Sequence, residues 1–172
     1  MYHITSRGNA REEIYRDDVD CLAFLRTLAT TVPRFRWICH SFCLIPNHYH
    51  LLLETPEPNL AKGMRMLNRS FAEHFNKRHG RVGHVFQGPY GDVLIETDEH
   101  LLEVLRYIAL NPVRAGLAGR PADWPWSSYA ALAGLSEAPT FLTTDLARSL
   151  LAGPLDFRDF VADGNKNRLP VV

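Results

Sequence analysis

Two histidines, His48 and His50, stand at alternate positions in the segment IPNHYHLLLE, residues 45–54. The run from His48 to Glu54 has the length and apolar content of a buried strand. Side chains two apart on a strand point to the same face, and their Cα atoms would be about 6.6 Å apart. Both imidazoles can therefore reach one metal ion. Most such pairs are ordinary polar residues on a strand, and the pair alone leaves both interpretations open.

A second pair of candidate residues occurs in the segment RYIALNP, residues 106–112. Tyr107 and Asn111 are four residues apart, so they would share one face of a helix. The carboxamide oxygen of Asn111 can ligate a metal. The phenol of Tyr107 can act as a covalent nucleophile when it is held at an electrophile. The alternative is a half-buried tyrosine followed by an asparagine that ends the helix before proline.

Together, these residues resemble the HUH motif of the single-tyrosine transposases, in which U is a bulky apolar residue, here Tyr49. Further segments, in the same order along the chain, resemble the REP-associated tyrosine transposases of bacteria. They are YHITSRGN at 2–9, IPNHYHLLLETPEPNL at 45–60, GHVFQG at 83–88, RYIALNPVRAGL at 106–117 and WPWSSY at 124–129. The resemblance covers residues 2–134, and several motifs in one order are far more specific than two histidines alone.

The resemblance implies a metal-dependent endonuclease and strand transferase that acts on single-stranded DNA. It implies that His48, His50 and Asn111 ligate the metal, which would be Mg²⁺ or Mn²⁺. It also implies that Tyr107 attacks phosphorus, leaving a 5′-phosphotyrosine and a free 3′ hydroxyl, so that a second 3′ hydroxyl can reseal the strand without ATP. The expected partner is single-stranded DNA with a hairpin, of the repetitive extragenic palindrome (REP) type.

Other residues are candidates for holding DNA. The resemblance implies that the SRGN segment lies near the bases that flank the cleavage site. Residues 59–91 carry six basic side chains against one acidic side chain, a patch that can hold hairpin phosphates. A solvated helix face is the alternative for that patch. The candidates are Arg7, Asn9, Lys62, Arg65, Arg69, Lys77, Arg78, His84 and Gln87.

One segment departs from the family pattern. Where the relatives read QG followed by arginine, an aromatic residue and lysine, this chain reads QGPYGD at residues 87–92. Pro89 and Gly91 replace two basic residues, and Asp92 adds an acid. A catalytically inactive, domesticated hairpin-binding protein is therefore the alternative function. A metal-dependent hydrolase with bound water as nucleophile ranks last, because no further carboxylates suggest a two-metal site.

The order of elements predicts the fold that positions these residues. Apolar periodicity, caps and breakers predict strands at 1–7, 35–45, 48–54, 84–87 and 93–96. They also predict helices from Asp17 or Asp18 to about Thr30, from Asn59 to Gly80, and from Thr97 or Asp98 to about Leu110, with short helices at 127–133, 144–151 and 156–161. This order predicts an α+β fold, a ferredoxin-like antiparallel sheet with packed helices as in HUH endonucleases. We expect a catalytic domain at 1–116 and a helical extension at 117–172 packed on or near it.

Composition sets the remaining expectations. The chain has 172 residues, is 46% hydrophobic and 22% charged, and carries no net charge. No apolar run is long enough to span a membrane, and no signal-peptide core is present at the N-terminus. The cysteine count, three, is small and odd, which argues against a disulfide framework and fits a reducing compartment. We expect a soluble bacterial protein of the cytoplasm that acts at the nucleoid, as a monomer, with a dimer as the alternative.

Overall fold

The structure, a computed structural model, describes residues 1–151 and 156–163 of the chain. Four strands form one sheet in the order β2-β3-β1-β4, and every neighbouring pair is antiparallel. The strands are β1 Tyr2–Arg7, β2 Ile38–Ile45, β3 His48–Glu54 and β4 Gly91–Leu94. This is the strand order of a ferredoxin-like sheet, so the predicted fold class is confirmed.

Three long helices pack on the sheet. The helices are α1 Asp18–Arg34, α2 Leu60–His79 and α3 Asp98–Arg114, followed by the short α4 Tyr129–Leu132, α5 Asp145–Leu150 and α6 Phe157–Asp163. The carboxylate of Asp17 caps α1, and Gly80, with a φ of +59°, ends α2 in the left-handed conformation that favours glycine. In the part of the chain that the structure describes, no helix is long and apolar enough to cross a membrane.

Two predicted helix ends were wrong. The helix that holds Tyr107 does not end at Asn111 but continues through Pro112 to Arg114. Likewise, α1 continues through Pro33 to Arg34, so the next strand begins at Ile38 and not at residue 35. Both prolines lie in the last helical turn, where the missing N–H removes one hydrogen bond and no further turn depends on it.

The strand predicted at residues 84–87 is a single bridge. Phe86 pairs with Gly8, the Asn9 N–H donates to Val85 O at 2.8 Å, and the Gln87 N–H donates to Arg7 O at 3.0 Å. Glycines at 83 and 88 and proline at 89 flank the segment and keep the pairing short. The next strand was predicted at 93–96, but β4 occupies Gly91–Leu94, two residues earlier.

Asn59 precedes α2 as predicted, but its side chain makes no capping hydrogen bond. Its carboxamide is instead hydrogen-bonded to the loop between α1 and β2. Trp37 Nε1–H donates to Asn59 Oδ1 at 2.7 Å, and Asn59 Nδ2–H donates to Phe35 O at 2.9 Å. Gly63 completes this contact, because a Cβ at that position would lie only 2.1 Å from the Trp37 ring.

The two faces of the sheet are covered by different helices. On one face, Tyr49, Leu51 and Leu53 of β3 pack with residues of α1 and α2 such as Phe24 and Phe71. On the other face, Leu52 of β3 and Cys43 of β2 pack with Val104, Leu105 and Ile108 of α3. All three cysteines are buried, with free thiols.

The segment after α3 covers the outer edge of β2. The Leu44 N–H donates to Trp126 O at 2.8 Å, and the Ser128 and Thr143 N–H groups donate to Phe42 O at 2.9 Å and to Cys39 O at 2.8 Å. These bonds satisfy backbone groups that an open edge strand would expose. The division into domains at residues 1–116 and 117–172 stays a prediction, and residues 152–155 and 164–172 of the extension lie outside the described residues.

Candidate active site

The register of β3 aims both histidines at α3. His48 lies opposite Arg7 of β1 and Ile45 of β2, and His50 lies opposite Thr5 and Cys43. The two imidazole ring centres are 5.0 Å apart, with the rings nearly perpendicular. This face of the strand is therefore the histidine face.

Helix α3 brings two further predicted residues to this face. Leu105 and Ile108 are fully buried against the sheet, which fixes the rotation of the helix about its axis. As a result, Asn111 Nδ2 lies 3.0 Å from His50 Nε2, and both side chains are buried. The Tyr107 ring meets His50 edge-on, with 5.3 Å between ring centres.

Burial keeps both histidines neutral. Burial, with a further contribution from the Arg7 charge, lowers the pKa of His48 to about 4. Burial also holds the pKa of His50 well below its ordinary range, and the neighbouring His3 and His48 add to this. Neutral imidazole is the form that ligates metals, so neither side chain must lose a proton at pH 7.

The hydrogen-bond partners assign the ring protons. His48 Nδ1 lies 2.7 Å from Asn47 Oδ1, which can only accept, so Nδ1 carries the proton and Nε2 has a lone pair. Asn111 Nδ2 can only donate, so His50 Nε2 also presents a lone pair. A hydrogen bond with the Asn111 side chain acts in the opposite direction and raises the pKa of His48. The Asn111 carboxamide thus contacts both imidazoles, and its N–H is donated to His50 Nε2.

This donor set fits a divalent cation. Within residues 1–151 and 156–163, no group of three or more His, Cys, Asp or Glu side chains could hold a metal. A metal bound to His48 and His50 would displace the Asn111 N–H from His50 Nε2 and could then take the Asn111 oxygen as a third protein ligand. Mixed nitrogen and oxygen ligands with open positions for phosphate suit Mn²⁺ and are compatible with Mg²⁺.

Comparison with known proteins identifies the family. Residues 1–111 match the family described as "Transposase IS200 like". The chain belongs to the IS200-like transposases. A Haemophilus influenzae protein named "Putative REP-associated tyrosine transposase" is 31% identical over 100 residues, which cover 52% of this chain and 57% of that protein. The chain therefore spans just over half the length of this relative.

A solved structure shares the fold. It is a REP-associated tyrosine transposase bound to a REP hairpin, and it matches this IS200-like transposase with a TM-score of 0.66, over 83% of this chain and 84% of that chain. The two sequences are 15% identical, so this likeness is one of fold. With the family match and the relative, it confirms the resemblance to REP-associated tyrosine transposases that the sequence motifs indicated.

The site of this IS200-like transposase includes two residues that the sequence analysis missed. His3 Nε2 lies 3.0 Å from His50 Nδ1, and the guanidinium carbon of Arg114 lies 5.4 Å from the Tyr107 ring centre. Spacing held the signal for both. His3 lies on the same face of β1 as Arg7, which is a predicted DNA contact. Arg114 follows Tyr107 by seven residues, which is two helical turns.

The candidate DNA contacts fall in two places. Arg7, Asn9 and Gln87 lie together beside the histidine face, because the bridge at Phe86 continues the pairing of β1. His84 is exposed in the same loop. The other candidates lie on α2, which packs on the opposite face of the sheet; they are Lys62, Arg65, Arg69, Lys77 and Arg78. The structure does not bring this second set to the histidines.

Two of the α2 cations are engaged within the protein. Arg69 forms an ion pair with Glu73 at 2.8 Å. Arg78 forms ion pairs with Asp17 at 2.7 Å and with Asp20 at 2.6 Å, and the Asp20 side chain is fully buried. An arginine that neutralises a buried carboxylate is less available to a phosphate. Lys62, Arg65 and Lys77, which are exposed, are the better placed candidates on this helix.

Proposed function

We propose that this protein is a metal-dependent endonuclease and strand transferase for single-stranded DNA, a transposase acting through a 5′-phosphotyrosine on Tyr107. One observation carries the proposal. Tyr107 and Asn111 of α3 meet His48 and His50 of β3, two segments far apart in sequence, in one partly buried cluster. Sheet register and helix packing hold all four side chains together, so the nucleophile and the ligand set share one rigid frame.

The residues divide the chemistry between them. The Tyr107 oxygen would attack phosphorus, the bond from phosphorus to the 3′ oxygen would break, and the 3′ hydroxyl would leave with a proton. The proposed ligands His48, His50 and Asn111 would hold Mg²⁺ or Mn²⁺, which withdraws charge from a non-bridging phosphate oxygen. Attack by a second 3′ hydroxyl on the phosphotyrosine reverses the step and joins two strands.

Arg114 supports the nucleophile. Its guanidinium lies over the Tyr107 ring at 5.4 Å, one helical turn beyond Asn111 on the same helix. Positive charge at this position would contact the incoming phosphate and stabilise the charge that develops on it in the transition state. Arg114 is exposed, so a strand that approaches the histidine face can reach it.

The proposed substrate is a hairpin-bearing repeat of the REP type, by analogy with the relative that is bound to a REP hairpin. Arg7, Asn9 and Gln87 beside the histidine face would hold the unpaired strand near the cleavage site. The exposed Lys62 and Arg65 of α2 would hold phosphates of the stem. A monomer is the expected state, because the segment after α3 already covers the edge of β2.

A denaturing gel tests the nucleophile. The protein is incubated with hairpin oligonucleotides from the palindromes around its own gene, with Mg²⁺ or Mn²⁺ and with a chelator control. We expect a metal-dependent band of protein joined to DNA, and Tyr107→Phe should reduce it at least about 1,000-fold. Tyr49→Phe is the matched control, because its hydroxyl bonds to Asn68 on the opposite face of the sheet. An undiminished adduct in Tyr107→Phe contradicts the assignment.

The alternative is a hairpin-binding protein without cleavage activity. Its supporting observation is the position of the segment that departs from the family. Thr5 pairs with His50 on one side and with Gly91 on the other, so residues 89–92 lie one strand away from the histidines, and Asp92 is exposed. The same gel distinguishes the two functions, since salt-dependent hairpin binding with no adduct in either metal would favour the alternative.

A further inference from the structure

His3 of β1 contacts one of the proposed ligands and has no role in the function proposed above. Its Nε2 lies 3.0 Å from His50 Nδ1, and the two rings stack with 5.2 Å between centres and 26° between planes. The same His3 ring meets the Tyr107 ring at 5.8 Å. His3 therefore contacts both a proposed ligand and the proposed nucleophile.

His3 is not placed as a metal ligand. Its Nε2 faces Nδ1 of His50, whereas the proposed metal position lies on the Nε2 side of that ring, next to Asn111. No three histidines in the described part of the chain are arranged to hold a metal. The contribution of His3 must therefore pass through His50.

The chain of hydrogen bonds gives that contribution a direction. Asn111 Nδ2 donates to His50 Nε2, which leaves the His50 proton on Nδ1, and Nδ1–H can then donate only to His3 Nε2. We propose that His3 is a positioning residue, whose Nε2 accepts the Nδ1–H of His50 and thereby keeps the Nε2 lone pair of His50 turned toward Asn111. The role toward the metal rests on the proposed function, but the proton arrangement does not.

The physical consequence is that the tautomer and the ring orientation of His50 are fixed before a metal binds. Without an acceptor at His3, the His50 proton can move to Nε2, the atom that would have to ligate. The ring would also lose the hydrogen bond that fixes its rotation. Partners of this kind, which hold the far nitrogen of a ligating imidazole, typically contribute about 10- to 100-fold in metal affinity.

Two substitutions separate the hydrogen bond from packing. His3→Phe keeps a ring against His50 and Tyr107 but removes the acceptor, whereas His3→Gln restores an acceptor at a similar reach. Mn²⁺ binding to the full chain without DNA is measured from the electron paramagnetic resonance signal of free Mn²⁺, with thermal unfolding as the check on folding. We expect about 10- to 100-fold weaker binding in His3→Phe and binding close to wild type in His3→Gln. Wild-type affinity in a folded His3→Phe would overturn the proposal.

Nitrogen-15 spectra of the metal-free protein test the proton arrangement directly. The His50 signals, assigned by their loss in His50→Ala, should show Nδ1 protonated in the wild type and in His3→Gln, and no such preference in His3→Phe. A wild-type His50 that is protonated on Nε2 would overturn the proposal. If the wild type bound no Mn²⁺ and formed no adduct, the proposed function would fail, and these spectra would still decide the role of His3.

Discussion

Successive residues of β3 face two different environments. Tyr49, Leu51 and Leu53 are fully buried against α1 and α2, whereas His48 and His50 face α3. Because side chains alternate along a strand, a shift of one residue in register would send each set to the wrong face. Burying each leucine contributes about 1.5–3 kcal/mol, which penalises such a shift strongly. Burial of the apolar face therefore fixes the direction in which the His48 and His50 side chains point.

Each face also holds a chain of hydrogen-bonded polar side chains, and the two chains differ in the groups that they could still bind. On the apolar face, the Tyr49 hydroxyl donates to Asn68 Oδ1 at 2.5 Å, and Asn68 Nδ2 donates to Ser6 Oγ at 3.3 Å. That chain has a donor for each acceptor. On the histidine face, His48 Nδ1–H donates to Asn47 Oδ1, and His50 Nε2 accepts from Asn111 Nδ2, a hydrogen bond that a bound cation would replace. The first chain stabilises the fold, and the second is the proposed metal site.

Substitution of adjacent residues of β3 tests most sharply whether its two faces act separately, one on metal affinity and the other on stability. His50→Ala should weaken Mn²⁺ binding at least about 100-fold, because it removes a ligand, while lowering the free energy of unfolding by only about 1 kcal/mol. Leu51→Ala should do the reverse and lower the free energy of unfolding by about 2–5 kcal/mol, with Mn²⁺ affinity retained. Urea unfolding and Mn²⁺ titration measure the two quantities. Equal losses of affinity in both folded variants would show that the faces do not act separately.

Acidic pH should lower the free energy of unfolding through the histidine face, and this effect is smaller than that of the substitutions above. Burial lowers the pKa of both His3 and His48 to about 4, whereas an unfolded histidine titrates near 6.5. Between these values the unfolded chain binds more protons, so stability falls as the pH falls from 6.5 toward 4. Each such histidine contributes a slope of up to about 1.4 kcal/mol per pH unit.

His48→Gln tests this slope. In a buffer with chelator, the free energy of unfolding of this variant should depend on pH less steeply than that of the wild type, by up to about 1.4 kcal/mol per pH unit between pH 6.5 and 4. Tyr49→Phe, on the other face, should lower stability by about 1 kcal/mol at every pH and leave the slope unchanged. Parallel curves for wild type and His48→Gln would mean that His48 is not held neutral by its surroundings.

The sequence predicted the parts of the fold that depend on local pattern. The alternation along β3 predicted which face His48 and His50 share, and the spacing of Tyr107 and Asn111 predicted a common helical face. The glycine at 80 and the apolar stripe of α2 predicted that helix closely. Each of these features is set by residues within one element, so a single sequence contains the information.

What the sequence did not predict depends on contacts between distant segments. The continuation of α3 past Pro112 and the loss of the strand at 84–87 follow from packing and from flanking glycine and proline. The spacing within β1 places His3 on one face with Arg7, but its contacts with His50 and Tyr107 also need the register of β1 on β3, which only the paired sheet shows. The position of the basic residues of α2, on the face away from the histidines, likewise appears only once the helix is docked.

Charge on the two sides of the sheet should affect DNA differently, and this is the smallest effect expected. Lys62 is exposed on α2, on the side away from the histidines, whereas Arg7 lies directly opposite His48. Lys62→Ala should weaken hairpin binding modestly and reduce the slope of log affinity against log salt by about 1, the effect of one lost phosphate contact. The rate of adduct formation at saturating DNA should not change, because the removed charge is remote from Tyr107.

Arg7→Ala should reduce both the affinity and the rate, since its charge adjoins the ligand set. Arg26→Ala is the matched control, because Arg26 is an exposed cation of α1, the helix that packs beside α2. If Arg26→Ala reduced the salt slope as much as Lys62→Ala, the loss would reflect net charge and not a contact with the stem. A salt slope that falls for Lys62→Ala but not for Arg26→Ala would instead place the hairpin stem along α2. The hairpin would then be held on one side of the sheet while its unpaired strand is cut on the other.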